Sequence, residues 1–290
     1  MKSFHDCLPC FVNQALEAVR QISDDEGVHE RVLRKVLRLA SSIDMSDTPP
    51  AMAQKIHRII RKETGAADPY RRKKEHYNRW AEAALPALAD AAKNQDDPFE
   101  NCLRLAIAGN IIDFGKNGRL NEADVRRVIE GCYDAPLDIR AVRRLKREVS
   151  AARDILYLGD NAGEIVFDRY FMRLLPVNRV TFVVRGKPVI NDVTRADAEA
   201  VRMPLLVKVI DNGSDAPGTV LSDCSAEFRD SFDRADLIIA KGQGNYETLS
   251  NVDKNIYFLL QAKCPVVARD LKCCIGDYIV RKRSQQHAKR

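Results

Sequence analysis

A chain of 290 residues that is 45% hydrophobic and 30% charged has an ordinary globular composition, with enough length for one large or two ordinary domains around a real core. Its formal charge of +6 is modest for that length, so no nucleic-acid partner is expected, and Arg281-Lys282-Arg283 with Lys289-Arg290 reads as a frayed, solvated basic end. No apolar run approaches a membrane span and Met1-Lys2-Ser3-Phe4-His5 lacks a signal-peptide core, which points to the cytoplasm and excludes a membrane partner; in that reducing compartment the eight cysteines do not form a disulfide framework.

The first half reads as helices. Cys7-Leu8-Pro9-Cys10 comes first, and one such pair supplies two of the four ligands a zinc site needs; it is open between inert helix-start cysteines, a metal half-site and a redox pair. Phe11, Ala15, Leu16, Val19 and Ile22 recur at helical spacing, as do Val32, Leu33, Val36, Leu37 and Ala40, then Met52, Ile56, Ile59 and Ile60 up to Gly65. After Asp68-Pro69 a long helix carries Trp80, Leu85 and Leu88, bent by Pro86. Cys102 to Ile112 predicts a buried helix, at whose end Asn110 and Asp113 share one face, either as a hydrogen-bonded terminus or as lining of a site. Asn121 to Tyr133 and Asp138 to Ala151 complete a helical domain at 1–152. Cys102, Cys132, Cys224 and Cys264 stand in apolar surroundings and read as core.

From Asp154 the period changes. Ile155–Leu158, Val180–Val184, Leu205–Ile210, Leu237–Ala240, Ile256–Leu260 and Val266–Ala268 are short β-rich runs, several separated by helical stretches. That alternation predicts an α/β domain at 153–290 with a mostly parallel sheet and helices on both faces.

Three strand ends carry the chemistry. Asp160-Asn161-Ala162-Gly163-Glu164 follows the first strand, Asn191-Asp192-Val193-Thr194 lies beyond the second, and Lys241-Gly242-Gln243-Gly244-Asn245 follows Leu237–Ala240. In a parallel sheet these turns share one edge, where ligands bind and helix N-termini favour anions. Asp and Asn suit a hard divalent cation, while lysine and Gly-rich turns suit phosphate. Each turn also has a plain reading, as a helix N-cap, a surface lysine or a tight turn. Gly242-Gln243-Gly244 is not the dinucleotide fingerprint, because Glu247 stands where its last Gly belongs, and there is no Walker sequence. None of the five histidines, His5, His29, His57, His76 and His287, falls at a strand end, which leaves the work to metal and carboxylates unless the helical domain lends a histidine.

These motifs, together with Asp68-Pro69-Tyr70 and Gly109-Asn110-Ile111-Ile112-Asp113-Phe114-Gly115, resemble the DUF89 family of damage-control phosphatases over nearly the whole chain, and most closely its prokaryotic branch with an N-terminal Cys-x-x-Cys. The resemblance implies a helical domain packed on a Rossmann-like α/β/α domain. It implies metal-dependent hydrolysis of phosphoric monoesters, the substrates being small, sugar-phosphate-like metabolites. By the same resemblance Asp160, Asn161 and Asp192 hold Mg²⁺, Mn²⁺ or another first-row divalent metal, and Lys241-Gly242 holds the phosphate. Gly163, Glu164, Asn245, Asn110 and Asp113 line the site; Cys7 and Cys10 stand apart, for a second metal or redox role. Asp160 is either a ligand or also the nucleophile, and Ala162 replaces the second acid of the Asp-x-Asp phosphatases. Two other classes stay open: a nucleotide-type cofactor-binding transferase, such as a methyltransferase, and a non-catalytic metal or metabolite binder.

Overall fold

The computed structural model describes residues 1–91, 97–112 and 122–283. Seven helices come first: α1 (Cys7–Arg20), α2 (Glu26–Ser41), α3 (Pro49–Thr64), α4 (Arg71–Ala91), α5 (Pro98–Ala108), α6 (Glu122–Glu130) and α7 (Ile139–Ala151). Their ends follow local chemistry. Thr48 caps α3 ahead of Pro49-Pro50, and Gly65 ends it in the left-handed conformation at φ 69°. α5 is buried along its length, as its apolar run predicts, and passes into a 3₁₀ turn at Gly109–Ile111.

The remainder alternates: β1 (Ile155–Leu158), α8 (Glu164–Met172), β2 (Val180–Val184), α9 (Arg195–Ala200), β3 (Lys208–Asp211), α10 (Ala226–Arg234), β4 (Leu237–Lys241), α11 (Gly242–Leu249), β5 (Ile256–Gln261), α12 (Pro265–Leu271) and β6 (Tyr278–Lys282). The six strands lie in the order β3-β2-β1-β4-β5-β6, parallel except for β6 against β5. This is the expected α/β architecture. One apolar cluster runs from Phe11 of α1 through β1 to Val280 of β6, so the helical layer and one sheet face share a core, while Leu156, Leu158, Phe228, Phe232 and Phe258 fill the other face. No helix among the described residues is long and apolar enough to cross a membrane.

Two segments differ from the sequence reading. Val266–Ala268 is not a strand but the middle of α12, because Cys264 caps a helix that Pro265 opens, and a three-residue apolar run carries no period of its own. Arg281 and Lys282 are not frayed: they belong to β6, whose pairing reaches Tyr257↔Lys282, and Arg283 N–H donates to Ile256 O at 2.8 Å.

Candidate active site

The strand order reverses between β1 and β4, which leaves a crevice beyond their carboxyl ends. β1 delivers Asp160 and Asn161 into it. The turn beyond β2 is zipped against them: Val193 N–H donates to Asp160 O (2.7 Å), Ala162 N–H donates to Asn191 O (2.9 Å), and Asn161 pairs antiparallel with Asp192. Backbone pairing therefore brings together the two acids that lie 32 positions apart in the sequence.

The carboxylates are crowded and held. Asp160 Oδ2 accepts from Asn161 Nδ2 (2.8 Å) and from Asn110 Nδ2 (2.9 Å), the latter reaching over from the turn after α5. Arg185, fully buried at the end of β2, donates from Nε to Asp192 Oδ2 at 2.7 Å, and its Nη2 stands 3.8 Å from Asp160 Oδ1. Burial, reinforced by Glu164 and Asp192, holds the Asp160 carboxyl well above the usual carboxylate range, with Lys263 and Arg185 offsetting only part of it.

Beneath this layer lies a second, dry one. Lys241, with no exposed surface, donates from Nζ to Glu164 Oε1 (2.6 Å), Asp168 Oδ1 (2.6 Å) and Ala106 O (2.9 Å), which uses all three ammonium hydrogens. Burial alone would lower this ammonium, but Asp168 and Glu164 outweigh it and raise it above an ordinary lysine. Burial pushes Asp168 up to about 7 despite Lys241, and Tyr157 donates to it at 2.7 Å. Glu164 Oε2 in turn accepts from Asn110 and Asn161, both at 3.0 Å, so the lower layer orients the upper one.

A cavity of about 490 Å³ opens on Asp160, Asn161, Asn191 and Asp192. Lys263, two residues past β5, is the one cation among the described residues that line it. Cys7 and Cys10 line it too, although the sequence set them apart from the strand ends, and Cys264, read as core, is half-buried in its wall. The other three cysteines of that group are buried.

Of the residues the sequence assigned to phosphate, several do not reach the cavity. Lys241, Glu164 and Asn110 make up the buried layer just described. Gly163 N–H donates to Asn78 Oδ1 at 2.6 Å. Asn245 is spent on Lys241 O (2.8 Å), Gly159 O and the Thr219 hydroxyl. Gly242 acts through its lack of a side chain: at φ 77° a Cβ would stand 1.9 Å from Asp160 Oδ2. Asp113 lies outside the described residues. The residues that sequence reasoning passed over are Lys263 and Arg185, both at carboxyl ends of parallel strands, the same signal that exposed Asp160.

The donor set suits a hard divalent ion. Asp160 and Asp192 supply carboxylate oxygens, and because Asn161 spends its amide nitrogen on Asp160 and Glu164, its carbonyl oxygen is left for a ligand. Among the described residues no group of three or more His, Cys, Asp and Glu stands close enough to hold a metal.

The family model described as the damage-control phosphatase ARMT1-like domain matches residues 3–279. A Methanocaldococcus jannaschii protein, named only as uncharacterized, is 36% identical over 96% of this chain and 94% of its own. Proteins named damage-control phosphatases from Archaeoglobus fulgidus and Pyrococcus horikoshii are 34% and 35% identical, over 95% and 96% of this chain and 97% of each relative. The crystal structure of a DUF89 family protein from Pyrococcus horikoshii superposes with a TM-score of 0.84 at 33% identity, covering 98% of this chain and all of that one. With the family model spanning the chain and relatives alike along their full length, this protein belongs to the damage-control phosphatase ARMT1-like family, the DUF89 proteins.

Proposed function

We propose that the protein is a cytoplasmic, metal-dependent phosphatase that hydrolyses small phosphoric monoesters of the sugar-phosphate type. The observation that carries this is the meeting of Asp160, Asn161, Asp192 and Lys263 in the wall of one small cavity, in a chain whose relatives are named damage-control phosphatases. Asp160, Asn161 and Asp192 would hold a divalent ion such as Mg²⁺ or Mn²⁺, which when bound neutralises phosphate oxygens and polarises phosphorus. Lys263 pairs with the phosphate from across the cavity, the part the sequence gave to Lys241. α11 starts at the same wall with Gln243 and Gly244 and has no side chain capping its N-terminus, so the positive end of the helix would favour phosphate oxygens there. Arg185 holds Asp192 in place, and the buried Lys241–Glu164 pair sets the Asn110 and Asn161 amides that fix Asp160.

The test is phosphate release from a panel of small monoesters, with chelator and with single divalent metals restored. Release should vanish in chelator and return with Mg²⁺ or Mn²⁺. Chelator-insensitive release would overturn metal dependence, and tight metal-free nucleotide binding at this cavity would favour a transferase. In the same assay Lys263→Ala should weaken kcat/KM by about 10-fold to 150-fold, the value of one charge-assisted contact. Gly242→Ala should cost about 100-fold, because its new methyl drives the Asp160 carboxylate off position. Unchanged turnover in Gly242→Ala would place Asp160 away from the reacting centre.

A further inference from the structure

The motif Asp68-Pro69-Tyr70, which the proposed chemistry does not use, lies just ahead of α4 and opens a chain of contacts that ends behind Asp160 and Asp192. Asp68 Oδ1 accepts from Tyr70 N–H at 3.1 Å, and its Oδ2 pairs with Lys74 Nζ at 2.9 Å. Lys74, in the first turn of α4 and almost fully buried, also donates to Asp197 Oδ2 at 3.0 Å. One turn further along the helix, Asn78 is 4% exposed and donates from Nδ2 to Asp197 Oδ1 at 3.2 Å. Its Oδ1 accepts from Gly163 N–H at 2.6 Å. A donor on one side and an acceptor on the other fix which way the amide faces.

The two partners of Asn78 belong to different turns. Gly163 stands two residues after Asn161 and immediately before α8. Asp197 is the third residue of α9, and its Oδ2 accepts from the N–H and the hydroxyl of Thr194, at 2.9 and 2.6 Å, which fastens the segment two residues after Asp192. One amide therefore grips both turns that carry Asp160, Asn161 and Asp192. The turns also meet directly, through Val193 N–H on Asp160 O and Ala162 N–H on Asn191 O. Bonds of a single ladder leave rotation about that ladder open, and such a rotation changes the gap between the two carboxylates. Asn78 opposes it from outside the cavity, since Asn78, Gly163 and Asp197 are not among the residues that line it. A Cβ on Gly163 would stand 3.1 Å from Tyr77 Cβ, so α4 lies directly against this turn.

We propose that Asn78 is a positioning residue for the metal donors, tying the Asp160 turn to the Asp192 turn so that their spacing is set before an ion arrives. Lys74 and Asp68 seat its Asp197 anchor. The role rests on the metal reading given above, and Asn78 itself touches neither ion nor substrate.

Mn²⁺ titration of the full chain, read from the electron paramagnetic resonance signal of the free ion, tests the proposal. Asn78→Ala should weaken Mn²⁺ binding by about 10-fold, the lower end of the range for groups behind a metal ligand. Asn78→Asp keeps an oxygen for Gly163 N–H but sets a like charge against Asp197, and should weaken binding at least as much. Turnover of both variants should recover at saturating Mn²⁺, because the donors themselves are intact. Tyr257→Phe is the control for lost stability alone: it removes the 2.7 Å hydrogen bond to Glu148 near the amino end of β5 and should leave Mn²⁺ affinity unchanged. Parental affinity in both Asn78 variants overturns the role, as does an equal loss in Tyr257→Phe or a turnover loss that saturating Mn²⁺ leaves in place. Absence of Mn²⁺ binding by the parent overturns the metal reading itself, and this role with it.

Discussion

Replacing Lys241 by methionine should destabilise the protein by about 3–5 kcal/mol, because it leaves Glu164 and Asp168 buried without their cation. The ammonium is closed off from solvent and makes three contacts of 2.6–2.9 Å, to two carboxylates and the Ala106 carbonyl on α5. It joins β4, α8 and the helical layer at one point. Lys241→Arg should not restore stability, since a planar guanidinium cannot place its hydrogens on three acceptors converging on one ammonium. Urea unfolding of both variants measures this. A loss under about 1 kcal/mol for the methionine variant would show that the two acids find other partners or stay protonated without cost.

The second expected result concerns function. Asp160→Asn and Asp192→Asn should each lower metal-dependent phosphate release by more than about 100-fold, since loss of a charged donor exceeds the 10- to 100-fold typical of an outer partner. Stability should move the other way for Asp160→Asn in metal-free protein. The folded-state carboxyl titrates well above its unfolded value, through burial, Glu164 and Asp192. Folded protein therefore binds more protons than unfolded protein between those two values, and stability falls as pH rises through that window. The asparagine variant lacks this loss, so its metal-free melting temperature should match or exceed the parent's at neutral pH, with a flatter pH profile. A variant that melts lower throughout, or that retains turnover, contradicts the assignment.

Much of the fold was legible because its signals are local. β1 and β2 fall where Ile155–Leu158 and Val180–Val184 predicted them, and Gly65 ends α3 as expected. β3 sits later than Leu205–Ile210, since Met203–Leu205 forms a 3₁₀ turn, and β6 escaped notice because its basic residues look like a solvated end. The gathering of Asp160, Asn161 and Asp192 was legible for the same reason: they lie beyond strand ends, and parallel topology places those ends together. The lysine was not. Lys241 and Lys263 both follow apolar strands, and only the packing of α5 and α8 over β4 decides that one ammonium is sealed among acids while the other faces the cavity. Reading Val266–Ala268 as a strand also hid the turn that carries Lys263 and Cys264.

The cavity wall has a consequence for how activity arises during synthesis. Its pieces come from Cys7 and Cys10, Pro49 and Pro50, Asp160 and Asn161, Asp192, Gly244 and Lys263, which span almost the whole chain. On the proposed reading, a ribosome-bound chain that has made Asp160, Asn161 and Asp192 but not yet β5 would lack Lys263, and a fragment cut free of α1 would keep those three residues but lose the wall that Cys7 and Cys10 contribute. No truncated product should be a weakened version of the enzyme: each should be silent, and partial proteolysis should act as an off switch instead of a dimmer.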